Sequence, residues 1–107
     1  MDSDGNMNPI LDLLIDAGIT GLWPLEVACS MDAREIRRRY GTKLFLVGNL
    51  DKRELVKGGD AMSKEIDGKV PLLKEHGGYI PGMDHVVPAD CSLDRFNEYA
   101  SHLRKYL

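Results

Sequence analysis

Cysteine is scarce in this sequence. Cys29 and Cys91 stand 62 positions apart (91 − 29) with no Cys-x-x-Cys spacing, which argues against a disulfide framework and leaves reduced thiols as the expectation. Positive charge is also short: fourteen Lys and Arg against seventeen Asp and Glu leave a net charge of -3. Arg37-Arg38-Arg39 is the single basic run, so a polybasic nucleic-acid footprint is excluded. Long apolar runs are missing too. The longest, Ile10 to Ile15 (broken by Asp12) and Leu44 to Val47, fall far short of a membrane span. Met1-Asp2-Ser3-Asp4 is acidic where a signal peptide would be basic, so a cytoplasmic protein is expected. What remains is ordinary: 107 residues, 43% hydrophobic and 29% charged, enough for a single domain over residues 1–107.

Helix punctuation is frequent. Asn8 can cap a helix with Pro9 in its first turn and Ile10, Leu13, Leu14 and Ala17 on one face, and Gly18 stops it. Asp32 with Glu35, and Asp51 with Glu54, each form a capping-box pattern, with Met31 stapled to Ile36 and Leu50 to Leu55. The helix after Asp32 should bury Ala33, Ile36, the Arg37 stem and Tyr40 before Gly41 ends it. Gly58-Gly59 breaks the next helix and Asp60 caps its successor, which carries Met62, Ile66, Val70 and Leu73 on one face. Pro71 predicts a kink there, or two abutting helices. A last helix follows Ser92, with Leu93, Phe96, Tyr99, Ala100 and Leu103 at helical spacing. Trp23, Phe45, Phe96, Tyr99 and Tyr106 read as core or near-core, and the Arg37–Arg39 run as a solvated helix end.

Strand character appears at Gly21–Leu25, Lys43–Val47 and Gly78–Ile80. The order α-β-α-β-α-α-β-α predicts an α/β fold with about three parallel strands and alternating helices. The chain opens on a polar loop feeding a helix, as though a strand before it were missing. Spacings of 22 (43 − 21) and 35 (78 − 43) between strand starts bracket the ~31 residues per unit of an eight-unit barrel. The expectation is therefore the C-terminal portion of a (β/α)8 TIM barrel.

In parallel α/β folds the chemistry lies beyond the carboxyl ends of the strands. Here those positions carry Asp2, Asp4 and Asn6, then Glu26, then Asn49 and Asp51, then Asp84 and His85. Each also has a plainer reading. Asp51 serves as a helix N-cap, Asp2 and Asp4 as terminal residues, Glu26 as a solvated carboxylate and His85 as a loop histidine. His76 and His102, late in their helices, are explained by the helix dipole.

These residues carry a resemblance. Val47-Gly48-Asn49-Leu50-Asp51, Asp4-Gly5-Asn6 leading to Asp16-Ala17-Gly18, and Gly78-Tyr79-Ile80 with His85 five residues later resemble the uroporphyrinogen decarboxylase superfamily. The segments DSDGN, PLEVA, GNLDK and GGYIP follow in order along essentially the whole chain. The resemblance implies the C-terminal segment of a (β/α)8 barrel. It implies decarboxylation of a porphyrinogen or related substrate without a cofactor, with His85, Asp4 and Glu26 as catalytic groups. Asn49, Asp51, Asp84 and Tyr79 would then shape or bind the substrate. Asp84 stands where the decarboxylases have glycine, and the rim supplies acids, Asn and His where an octacarboxylate would want positive charge. The superfamily's other branch, corrinoid-dependent methyltransferases, implies zinc held here by Asp2, Asp4 and His85, with Glu26 as a further ligand or base. A third reading is a non-catalytic subunit that forms a homodimer, or joins an absent N-terminal part, to complete a barrel.

Overall fold

A computed structural model describes residues 1–107. Four strands, β1 (Asp2–Ser3), β2 (Gly21–Pro24), β3 (Phe45–Leu50) and β4 (Tyr79–Met83), form one sheet. Five helices accompany them: α1 (Leu11–Asp16), α2 (Ala33–Tyr40), α3 (Lys52–Lys57), α4 (Gly59–Glu75) and α5 (Leu93–Leu103). Every strand pair is parallel and the spatial order is the chain order, β1-β2-β3-β4. The α/β class and parallel sheet agree with the sequence pattern. The strand thought missing is present as the two-residue β1, whose polar sequence Asp2-Ser3 carries no strand signal.

Strictly sequential order joined by right-handed crossovers puts all the helices on one side of the sheet. Burial follows from that. Gly21 aligns with Phe45, Leu22 with Leu46, Leu46 with Tyr79 and Val47 with Ile80. Leu22, Leu46 and Tyr79 therefore share the helix-covered face and are buried. Trp23, Phe45 and Ile80 occupy the opposite face and are 46%, 43% and 52% exposed. Trp23 and Phe45 thus depart from the core expectation, because nothing covers their side of the sheet. The molecule measures 43 × 27 × 16 Å, the thickness of two layers.

The helices form where their caps and faces dictate. Asp32, Asp51 and Ser92 accept from the Arg34, Arg53 and Arg95 amides at 2.8, 2.9 and 3.2 Å, capping α2, α3 and α5. The box partners do not reach back; Glu35 and Glu54 pair instead with Arg38 and Lys57. The α2 stripe of Ala33, Ile36, Arg37 and Tyr40 is buried as spaced, as are Met62, Ile66, Val70 and Leu73 of α4.

Four details differ from the sequence expectation. Residues Asn8–Ile10 form a 3-10 turn whose cap is Met7, and Leu11 is the buried residue of α1, while Ile10 and Leu13 are exposed. Helix α4 passes through Pro71 as one 17-residue element, starting at Gly59 without a side-chain cap. In α5 Leu93 and Phe96 are exposed, and Tyr99 and Leu103 do the packing. Arg37 is not a solvated charge: its guanidinium is buried and donates to the carbonyls of Gly41, Leu44 and Gly78 at 2.7, 3.2 and 2.8 Å. It thereby ties together the amino ends of β3 and β4, opposite the carboxyl-end loops.

Candidate functional site at the carboxyl ends of the strands

The loops that leave the four strands meet at one rim. The turn after β2 is fixed from β3: Asn49, fully buried at 0% exposure, accepts from the Ala33 amide at 2.9 Å. Its amide group donates to the Leu25 and Met31 carbonyls, both at 2.7 Å. Asn49 and Leu25 both have positive φ, 66° and 61°. Asn tolerates that region and Leu does not, so the Asn49 clamp holds a strained backbone at the end of β2.

Asp84, just beyond β4 and 1% exposed, completes the tie. Its carboxylate accepts from the Val27 amide at 2.9 Å and from the Lys52 amide at 3.0 Å. One side chain thus links the loops that follow β2, β3 and β4. Tyr79 is buried and donates to the Gly48 carbonyl at 2.9 Å, and burial raises its phenol above the usual range.

Asp51 is buried as well. It caps α3 and pairs with Arg53 at 2.7 Å. Burial alone would raise its carboxyl, but the Arg53 guanidinium and amide outweigh that and hold it low. The Asp51 amide in turn donates to Glu65, which pairs with the buried Lys69 at 2.5 Å. The polar atoms of Asn49, Asp51, Asp84 and Tyr79 are therefore engaged with the protein itself.

The groups left facing the rim are Asp4, Glu26, Cys29, Lys52 and His85. Glu26 accepts from the Cys29 thiol and the Gly5 amide, both at 3.2 Å. The thiol bond first, and the amide second, hold its carboxyl below the usual range. The same bond pushes the Cys29 thiol up, so Cys29 is a proton-bearing donor and not a thiolate nucleophile. His85 Nδ1 lies 3.7 Å from an Asp4 carboxylate oxygen, beyond hydrogen-bond distance. The Lys52 ammonium lies 4.0 Å from Glu26.

Of the residues singled out from sequence, Asp4, Glu26 and His85 come together on this rim, while Asp2 is an exposed member of β1. No three His, Cys, Asp or Glu side chains gather to hold a metal ion. Of the residues expected to hold zinc, Asp4 approaches His85 while Asp2 stays in β1, and no step is routed through a metal. Two rim residues escaped the sequence reading. Lys52 carried a usable signal: a cation in the first turn of a helix opposes the helix dipole and so asks for another reason to be there. Cys29 carried none beyond its place three residues after Glu26.

No helix is long and apolar enough to cross a membrane. No protein-family model, curated protein or solved structure matches the chain.

Proposed function

We propose that this chain forms one half of a (β/α)8 barrel of the uroporphyrinogen decarboxylase type, and that its rim handles protons in the decarboxylation of a porphyrinogen or related carboxylate. The observation that carries this reading is the convergence of loops from four consecutive, sequentially ordered parallel strands on Asp4, Glu26 and His85. A doubly wound sheet would reverse strand order at its binding crevice, and this one does not. The uncovered face bearing Trp23, Phe45, Val47 and Ile80 has the character of a barrel interior, which side chains from all the strands fill.

In such a reaction the bond from carbon to carboxylate breaks and CO2 leaves. The electron pair stays on carbon and must receive a proton. His85 is the donor, with Asp4 beside its ring, and the ionised Glu26 takes up a proton from water and returns it to His85, which closes the cycle. Asn49 and Asp84 fix the loops that carry these groups, and Asp51 and Tyr79 shape the walls.

Titration with uroporphyrin, followed through backbone amide NMR shifts, tests the location. Shifts should concentrate at Gly5, Val27, Lys52 and His85. Shifts confined to residues away from this rim, or none, would overturn the reading. His85→Gln should slow porphyrinogen decarboxylation at least about a hundredfold while leaving the fold intact.

The uncovered face supports a second, compatible reading, in which two copies of the chain associate and bring eight strands together. Four parallel strands with both edges unpaired are half of a closed barrel.

A further inference from the structure

Helices α2 and α4 pack side by side on the covered side of the sheet and leave a cavity of about 790 Å³ beside their contact. That volume lies within the roughly 300–1,000 Å³ typical of small-molecule sites. None of the rim groups Asp4, Glu26 and His85 lines it. Its chemistry comes mainly from α2, where Arg34, Arg37 and Arg38 stand at i, i+3 and i+4 on one helix face. Arg34 and Arg38 are each held by a carboxylate of the same segment, Asp32 at 2.8 Å and Glu35 at 2.7 Å. Arg37 has no such partner. It is 5% exposed and donates only to the carbonyls of Gly41, Leu44 and Gly78, while its buried Nε engages nothing. Burial lowers its pKa from the ordinary arginine value, with no carboxylate to offset the effect. A charge withdrawn from water normally has a counter-charge beside it.

The cavity wall thus carries three guanidiniums against two carboxylates, and exposed Thr42 and His76 add a hydroxyl and an imidazole. Leu72 is the one apolar residue there, and no Phe, Tyr or Trp offers a ring on which a nucleobase could stack. Such a lining suits a polar ligand with an anionic end. We propose that the groove between α2 and α4 binds a phosphorylated sugar or polyol, its phosphate received by Arg34, Arg37 and Arg38 and its hydroxyls by Asp32, Glu35 and Thr42. The planar fork of a guanidinium matches phosphate oxygens, and each carboxylate keeps acceptor sites beyond those its arginine uses.

Glucose 6-phosphate, glucose, inorganic phosphate and adenosine monophosphate serve as probes, read by NMR of the full chain. Glucose 6-phosphate should shift the amides of Arg34, Arg38, Thr42 and His76 and the Arg37 Nε–H resonance, and added salt should weaken it. Glucose alone should shift none of them, and inorganic phosphate should bind at least about tenfold more weakly. Arg38→Gln should weaken glucose 6-phosphate about tenfold, whereas Glu35→Gln, which frees Arg38, should tighten it about threefold. Both positions lie on the outer surface of α2, and far-UV circular dichroism verifies that the variants fold. Shifts confined to residues outside the groove, or unchanged affinity in Arg38→Gln, would overturn the site. Inorganic phosphate or adenosine monophosphate binding as tightly as glucose 6-phosphate would overturn the assignment to a sugar phosphate.

Discussion

The carboxylate of Glu26 is kept ionised by the Cys29 thiol and the Gly5 amide, and this fixes the sign of its pH dependence. Because its folded value is depressed, its contribution is complete at neutral pH and is lost only as the pH falls through that depressed value, below the ordinary glutamate range. Carbon-13 NMR of the Glu26 carboxyl should show the low midpoint, and Cys29→Ala should move it upward. Reciprocally, the Cys29 thiol should react slowly with a disulfide reagent at neutral pH, and Glu26→Gln should accelerate it. Asn49 makes a larger difference to stability. Asn49→Ala strands the Ala33 amide and two carbonyls and places alanine at a φ of 66°, so about 3 kcal/mol of unfolding free energy should be lost, as urea denaturation would measure. At this scale the sequence named the rim acids and His85, because strand ends are where polar side chains stand out. It did not separate groups that face the rim from those that hold loops. Asn49, Asp84 and Tyr79 look like binding residues in a linear reading, and the distinction depends on partners 16 to 57 positions away.

Among the elements, β3 is the most constrained. Gly48 sits at a φ of 95°, and a Cβ there would stand 2.4 Å from the Pro24 carbonyl oxygen of β2. Gly48→Ala should therefore cost more than about 3 kcal/mol, since backbone must move to relieve it. Gly77→Ala, also at positive φ but in open space, should cost only about 1 kcal/mol. Paired denaturation curves test the contrast. Elements with an apolar stripe and a cap, such as α2 and α3, were legible in the sequence because both signals are local, as was the buried stripe of α4 but not its start. Strand β1 was not, since two polar residues pair with β2 only through backbone, in the register Asp2 to Trp23 and Ser3 to Pro24. Nor was the continuity of α4 through Pro71. There the buried face of Ile66, Val70 and Leu73 outweighs the missing amide.

For the molecule as a whole, a 16 Å slab leaves aromatic side chains on one bare face, a surface of the kind that favours association. Sedimentation should give about twice the 11.9 kDa chain mass, and Ile80→Glu, on the bare face, should shift the species to monomer without loss of helical signal. The self-association reading of the sequence already called for an uncovered apolar face, but alternation in such short strands did not show that Trp23 and Phe45 stand on it. The reach of Asp84 has a temporal consequence. A single carboxylate near the end of the chain fastens Val27, 57 residues earlier, and Lys52, 32 residues earlier. Helices held by local bonds can condense quickly, but this long loop closure must come late. The rim thus acquires its shape only when the last ribbon docks, and a chain still emerging from the ribosome, short of that residue, would carry Asp4, Glu26, Cys29 and Lys52 without the bonds that hold their loops together.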